Sequence, residues 1–92
     1  MTNPARQVLE IVNIKGLHAR ASAKFVETVE GFNATAEVFK DGLSAAGDSI
    51  MGLLMLAASV GTTIEVETSG PEAAALAKAL ADLVADKFGE GM

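Results

Sequence analysis

Lys15-Gly16-Leu17-His18-Ala19-Arg20-Ala21-Ser22-Ala23-Lys24-Phe25 is the stretch on which the reading of the fold turns. A strand-like run breaks at Gly16, and a helix opens with a lone histidine and an arginine two positions on. The start of a helix leaves backbone N–H groups unpaired and carries partial positive charge, so it attracts anions. An imidazole placed there is biased toward its neutral, nucleophilic form, because the local field disfavours a second positive charge. Arg20 adds a planar donor fork suited to phosphate. His18 therefore reads as a group that accepts or senses an anion. The plainer alternative is a histidine that only caps the helix or meets solvent.

Working outward, residues 7–14 (Gln-Val-Leu-Glu-Ile-Val-Asn-Ile), bounded by Pro4 and Gly16, predict a strand with Leu9 and Ile11 on one face. From Ala19 to Glu30, Phe25, Val26, Val29 and Phe32 fall at helical spacing, with Gly31 as the stop. Thr35–Lys40 alternates, Asp41-Gly42 is a hairpin signal, and Leu43–Ala46 is its partner strand. Gly47-Asp48-Ser49 breaks that strand and caps a second helix. Thr62–Thr68 alternates again, and Ser69-Gly70-Pro71-Glu72 starts a long last helix with Pro71 in its first turn. Its stripe is Leu76, Leu80, Leu83, Val84 and Phe88, ended by Gly89. The order β-α-β-β-α-β-α predicts an α+β domain over 1–92: a four-stranded antiparallel sheet with three helices on one face. Periodicity alone also permits a ferredoxin-like arrangement.

Composition excludes several function classes. The chain has no cysteine and a single histidine, which removes thiolate chemistry, disulfides and a multi-histidine zinc site, so no metal or other cofactor is expected. A net charge of −5 argues against nucleic acid and anionic membrane surfaces. Phe25, Phe32, Phe39 and Phe88 are spaced as core residues rather than as a base-stacking platform. Met1–Arg6 has no apolar signal core, and the apolar run from Ile50 to Gly61 is shorter than the ~20 residues a bilayer requires. A cytoplasmic monomer is expected. No Gly-x-x-x-x-Gly-Lys pattern offers a nucleotide site.

The second helix is apolar nearly all round: Ile50, Met51, Leu53, Leu54, Met55, Leu56. A small domain buries one stripe, here expected to be Leu53, Leu56 and Val60. Ile50, Met51, Leu54 and Met55 are then left for a docking surface.

Gly16-Leu17-His18-Ala19-Arg20, with the small-residue helix running to Lys24-Phe25, resembles the active-site segment of the HPr family, the histidine phosphocarriers of the bacterial phosphotransferase system. Ser49-Ile50-Met51-Gly52-Leu53 resembles that family's regulatory serine segment. The resemblance spans nearly the whole chain and selects the open-faced β-sandwich. It implies that His18 takes a phosphoryl group from enzyme I as a pros-phosphohistidine and passes it to an EIIA-type acceptor. Arg20, Ala19 and Ala21 would bind the phosphate, and Ala23 would join the docking patch. The chain would then be a carrier in sugar transport or its regulation rather than a stand-alone enzyme. Ser49 would be a target of HPr kinase/phosphorylase. One departure is Ala21, where the family usually has proline. Another is Asp48, acidic where regulated members often carry a basic residue. Glu27, Glu30 and the overall acidity suit a nitrogen-related branch, in which the chain would be a regulatory binding module working through its docking patch.

Overall fold

The computed structural model describes residues 5–90. Pro4, the expected edge of the first strand, and the other residues of 1–4 and 91–92 lie outside the described residues. The elements are β1 (Ala5–Glu10), α1 (Ala19–Glu30), β2 (Thr35–Lys40), β3 (Leu43–Ala46), α2 (Ile50–Met55), β4 (Thr63–Ser69) and α3 (Ala73–Ala85), followed by a single 3-10 turn, Lys87–Gly89. The strands form one antiparallel sheet in the order β1-β4-β2-β3. That order puts β4 between β1 and β2, the placement periodicity left open, and with it the open-faced sandwich rather than the ferredoxin-like arrangement. Asp41 (φ 51°) and Gly42 (φ 81°) both adopt left-handed backbone, as a two-residue hairpin turn between β2 and β3 demands.

Strand side chains alternate between faces, so each strand contributes one row to the core. Ala36, Val38, Ala45, Ile64 and Val66 lie inward, with Val38 opposite both Val66 and Ala45. The helices close over that face with Ala21, Phe25, Val26 and Val29 from α1, Leu53 from α2, and Leu76, Leu80 and Val84 from α3, all in one cluster. The other face of the sheet is open. There Arg6 donates to Glu65 (3.1 Å) and Glu67 (3.3 Å) and stacks 4.6 Å above the Phe39 ring. These contacts offset the like-charge pairing of Glu37 with Glu67. Phe39 thus sits under an arginine on the open face, and Phe32 is partly buried, so only Phe25 and Phe88 are full core aromatics.

Four further expectations are corrected. β1 stops at Glu10 rather than running to residue 14, because the Asn13 side chain bonds the Gly16 carbonyl (2.8 Å) and folds the chain into a turn. Val60 is 49% exposed, because α2 ends at Met55 and left-handed Ala57 (φ 51°) redirects the chain so that Ala58 is buried instead. Ser69 ends β4 instead of capping α3, and Pro71 lies before the helix rather than in its first turn. Gly70 (φ 109°) makes that bend, packed so closely on Ala34 that a Cβ would lie 3.1 Å from its Cα. Phe88 lies in the 3-10 turn past α3, with Lys87 (φ 55°), Phe88 (φ 54°) and Gly89 (φ 75°) all left-handed. Gly31 does end α1, but with ordinary right-handed backbone (φ −78°).

The Phe88 ring thus enters the one core cluster from outside any long helix. Phe88→Ala is expected to cost about 3–5 kcal/mol, as for a fully buried aromatic. Val60→Ala is expected to stay within about 0.5 kcal/mol. Urea unfolding of the two variants measures both.

Candidate functional site

The site is built where the chain leaves the sheet for α1. Ile11 still pairs with the loop before β4, donating to the Thr62 carbonyl at 2.9 Å while its own carbonyl accepts from the Gly61 amide at 2.8 Å. The turn follows at once, with the Gly16 amide donating to Asn13 O (3.1 Å). Gly16 has φ 66°, and a Cβ there would fall 2.5 Å from the Ala58 carbonyl oxygen and 3.0 Å from Ser59 Cα. Leu17 then donates its amide to that Ala58 carbonyl at 2.9 Å. The segment after α2 therefore braces the turn that presents the histidine.

His18 is the N-cap of α1, with extended backbone (φ −80°, ψ −176°). Its carbonyl accepts the first helical bond, from the Ser22 amide at 2.8 Å, which leaves the amides of Ala19, Arg20 and Ala21 ahead of the helical ladder. Its Nδ1 accepts from the Arg20 amide at 3.3 Å, so the Nδ1 lone pair faces the helix N-terminus. The imidazole is 26% exposed: held on one side, reachable on the other. Arg20 is exposed. With Ile14, Lys15, Lys24, Gly89 and Glu90 it lines a pocket of about 300 Å³.

Two site residues escaped the sequence reading. Glu90 places Oε2 on His18 Nε2, and its Oε1 accepts from Asn13 Nδ2 at 2.9 Å. Asn13 is fully buried, and its amide donates to both Gly16 O and Glu90. Burial pushes the Glu90 carboxyl up, but the hydrogen bonds from Asn13 and His18, with the charges of His18 and Lys15, outweigh it and hold the group below the ordinary glutamate value. The 3-10 turn delivers Glu90 to the ring, anchored by the buried Phe88 ring and by Lys24 Nζ on the Phe88 carbonyl (2.6 Å). No local signal in the sequence pairs these residues with each other or with His18. The contact between His18 and Glu90 spans 72 positions.

Ser49 is the N-cap of α2, its Oγ accepting from the Gly52 amide at 3.0 Å. It opens α2, whereas Ala58, which bonds to Leu17, follows the helix end. The six residues of α2, about 9 Å of rise, thus stand between Ser49 and the histidine turn. Asp48 is exposed and shares a second pocket with Glu30, Glu37 and Glu67, so the serine neighbours an acidic surface. Met51 and Met55 are 69% and 73% exposed, Ile50 is exposed, and Leu54 and Ala23 are half-buried. α1 and α2 pack against each other.

A family model described as the PTS HPr component phosphorylation site matches residues 5–86. The chain is 50% identical over 86 residues to the phosphocarrier protein HPr of Neisseria meningitidis serogroup A, covering 94% of this chain and 97% of the relative. It is 42% identical over 68 residues to the phosphocarrier protein NPr of Escherichia coli K12, covering 73% and 76% of the two chains. Among solved structures, HPr-C-His from Thermoanaerobacter tengcongensis superposes with a TM-score of 0.90 at 38% identity, covering 96% of this chain and 99% of that one.

Gly16→Ala is expected to lower stability by at least about 2 kcal/mol, since left-handed strain and the contact with Ala58 O add together; thermal or urea unfolding reads the loss. A carboxyl held low in the folded chain favours folding above its unfolded value, and that contribution is lost as pH falls through the folded value. Carbon-detected NMR titration of Glu90 Cδ is therefore expected to show a midpoint below that of an unperturbed glutamate.

Proposed function

The chain belongs to the HPr family, the phosphocarriers of the phosphotransferase system, and from that premise we propose that His18 Nδ1 accepts a phosphoryl group from a phosphohistidine of enzyme I and passes it to a histidine of an EIIA-type acceptor. The observation that carries this reading is the direction of the Nδ1 lone pair, toward the amides that open α1. Nδ1 attacks phosphorus, the new N–P bond forms as the donor's N–P bond breaks, and that bond pair returns to the donor ring. The phosphoryl oxygens then lie where the amides of Ala19, Arg20 and Ala21 and the Arg20 guanidinium can donate to them. Transfer between two imidazoles needs positioning and charge compensation rather than a new covalent intermediate, so the protein's share is geometric. Ala21, unlike proline, retains an N–H for this cradle.

Ile50, Met51, Leu54, Met55 and Ala23 supply the apolar ground on which both partners dock, exposed or half-buried side chains that a small core does not cover fully. The protein works in the cytoplasm as a monomer. Among the described residues no helix is long and apolar enough to cross a membrane. Phosphorylation of Ser49 by an HPr kinase/phosphorylase would regulate docking by charge, because a helix N-cap tolerates the anion while an acidic partner is repelled. The acidic neighbours of Ser49 oppose that kinase, and this limb carries its own test. A second reading is a regulatory phosphotransferase branch in which the docking patch matters more than sugar uptake. It draws on the likeness to NPr.

Incubation with enzyme I and phosphoenolpyruvate is expected to add one acid-labile phosphoryl group, seen by intact mass and absent in His18→Ala. Arg20→Ala is expected to slow acceptance about tenfold, the loss of one charge-assisted contact. An acid-labile adduct persisting in His18→Ala overturns the assignment. An acid-stable adduct after incubation with the kinase, lost in Ser49→Ala, is the expected mark of the regulatory limb.

A further inference from the structure

We propose that Glu90 is a positioning residue of the phosphoryl relay: its carboxylate fixes the proton of His18 on Nε2, so that Nδ1 is the nucleophile and the phosphorylated ring keeps a counter-charge. The proposal rests on the carrier reading above and goes beyond it, because that reading uses only the Nδ1 side of the ring.

Donors and acceptors on either side of the ring fix its tautomer. An ionised carboxylate only accepts, so the nitrogen facing Glu90 Oε2 must carry the hydrogen. The opposite nitrogen, Nδ1, faces the Arg20 N–H and must be the acceptor. Both sides of the ring thus select the same tautomer. Glu90 is itself held by a side chain that has no freedom to do otherwise. Asn13 is fully buried, and the two groups around its Nδ2, Gly16 O and Glu90 Oε1, both require donors, which fixes the amide's orientation. Among the described residues its Oδ1 is buried without a partner, so the amide is held in this sense at some cost.

The backbone that delivers Glu90 carries strain of its own. Lys87 and Phe88 both sit in left-handed conformations that non-glycine residues avoid, and the turn is pinned by the Phe88 ring in the core and by Lys24 on the Phe88 carbonyl. The side chain of Glu90 is only 10% exposed, which shields its hydrogen bond from water. A carboxylate merely trailing over the surface would need none of these constraints.

The charge balance explains what the contact does. When neutral His18 attacks through Nδ1, the N–P bond forms, the donor's N–P bond breaks with its pair returning to the donor, and the Nε2 proton stays in place. The ring therefore becomes an imidazolium as the bond forms, and Glu90 offsets the developing charge. In the onward step the N–P pair returns to Nδ1 and the ring leaves neutral, with the same proton still on Nε2. Glu90 consequently favours acceptance by its charge and, by keeping the proton on Nε2 throughout, leaves Nδ1 free to take back the bond pair on donation, while touching neither phosphorus nor partner.

The test uses the full chain labelled with ¹⁵N in histidine, together with Glu90→Gln, which keeps shape but removes charge, and Glu90→Ala. Amide spectra establish that each variant is folded. Well above the ordinary imidazole range, the wild-type ring is expected to show an unprotonated Nδ1 and a slowly exchanging proton on Nε2. In both variants that proton is expected to exchange fast. Acceptance from phosphorylated enzyme I is expected to fall at least about tenfold in kcat, with KM within about twofold. Unchanged ring-proton exchange and unchanged kcat in both folded variants overturn the proposal, as does a wild-type proton found on Nδ1. A wild-type chain that takes no phosphoryl group overturns the carrier reading and the kinetic half of this proposal with it, while the ring spectra still decide whether Glu90 sets the tautomer.

Discussion

The contact on which the arrangement depends is between two stretches of backbone: Gly16 laid against the Ala58 carbonyl and Ser59 Cα, with the Leu17 amide donating to that same carbonyl. Only a residue without Cβ, in left-handed conformation, allows the turn after β1 to come this close to the segment after α2. The approach fixes where α1 begins, and so where its N-terminal amides point. It also ties the exposed apolar residues of α2 to the histidine, since α2 cannot shift without moving Ala58. Recognition surface and reactive ring are thereby mounted on one rigid joint, which suits a protein whose proposed partners must dock and react at once.

Elements with a strong local signal were legible. Alternation gave β2 and β3 their bounds, and spacing gave α1 its start at Ala19 and its end at Glu30. The Asp41-Gly42 turn follows from left-handed backbone alone. What failed was decided by tertiary contacts. Val60 has the right spacing for a buried stripe, but left-handed Ala57 ends the periodicity that spacing assumes. Ser69 and Pro71 form a plausible helix start, yet pairing with Thr35 keeps Ser69 in β4, and Glu72 instead spends its carboxylate on the Asn33 amide at 2.6 Å. Phe88 continues the α3 stripe by residue count but reaches the core through a reversed turn. Burial of a phenyl ring, worth roughly 2–3 kcal/mol, is enough to hold non-helical backbone there.

The candidate site divides the same way. His18, Arg20 and Ser49 stand at helix starts, and a helix start is written in consecutive residues. Asn13 and Glu90 are legible only in three dimensions, because a buried amide and a carboxylate 77 positions apart leave no pattern in the chain. A weak clue existed at Asn13, a polar residue placed among Ile11, Val12 and Ile14 in an apolar run. A polar side chain in such a run must find partners once buried. Here it finds the two acceptors that shape the turn and hold the carboxylate.

A phosphoryl carrier faces an opposing demand: it must stabilise the phosphorylated ring enough to take the group and little enough to surrender it. Two unit charges 4 Å apart attract by about 1 kcal/mol in water and about 4 kcal/mol near a protein surface. Arg20, being exposed, works toward the weaker end of that range, and the α1 amides add partial charges only. Deep burial of the same arginine would tighten the hold and slow release. Glu90 is the better-shielded charge, but it faces Nε2, the side of the ring remote from phosphorus, and its sign opposes the phosphoryl group. In the proposed relay the stronger electrostatic partner therefore supports the ring in its reactive form, and the weaker ones meet the cargo. Such a division lets one geometry serve both acceptance and donation, since the phosphoryl oxygens themselves meet only exposed groups, while Glu90 holds the ring and its proton unchanged through both steps.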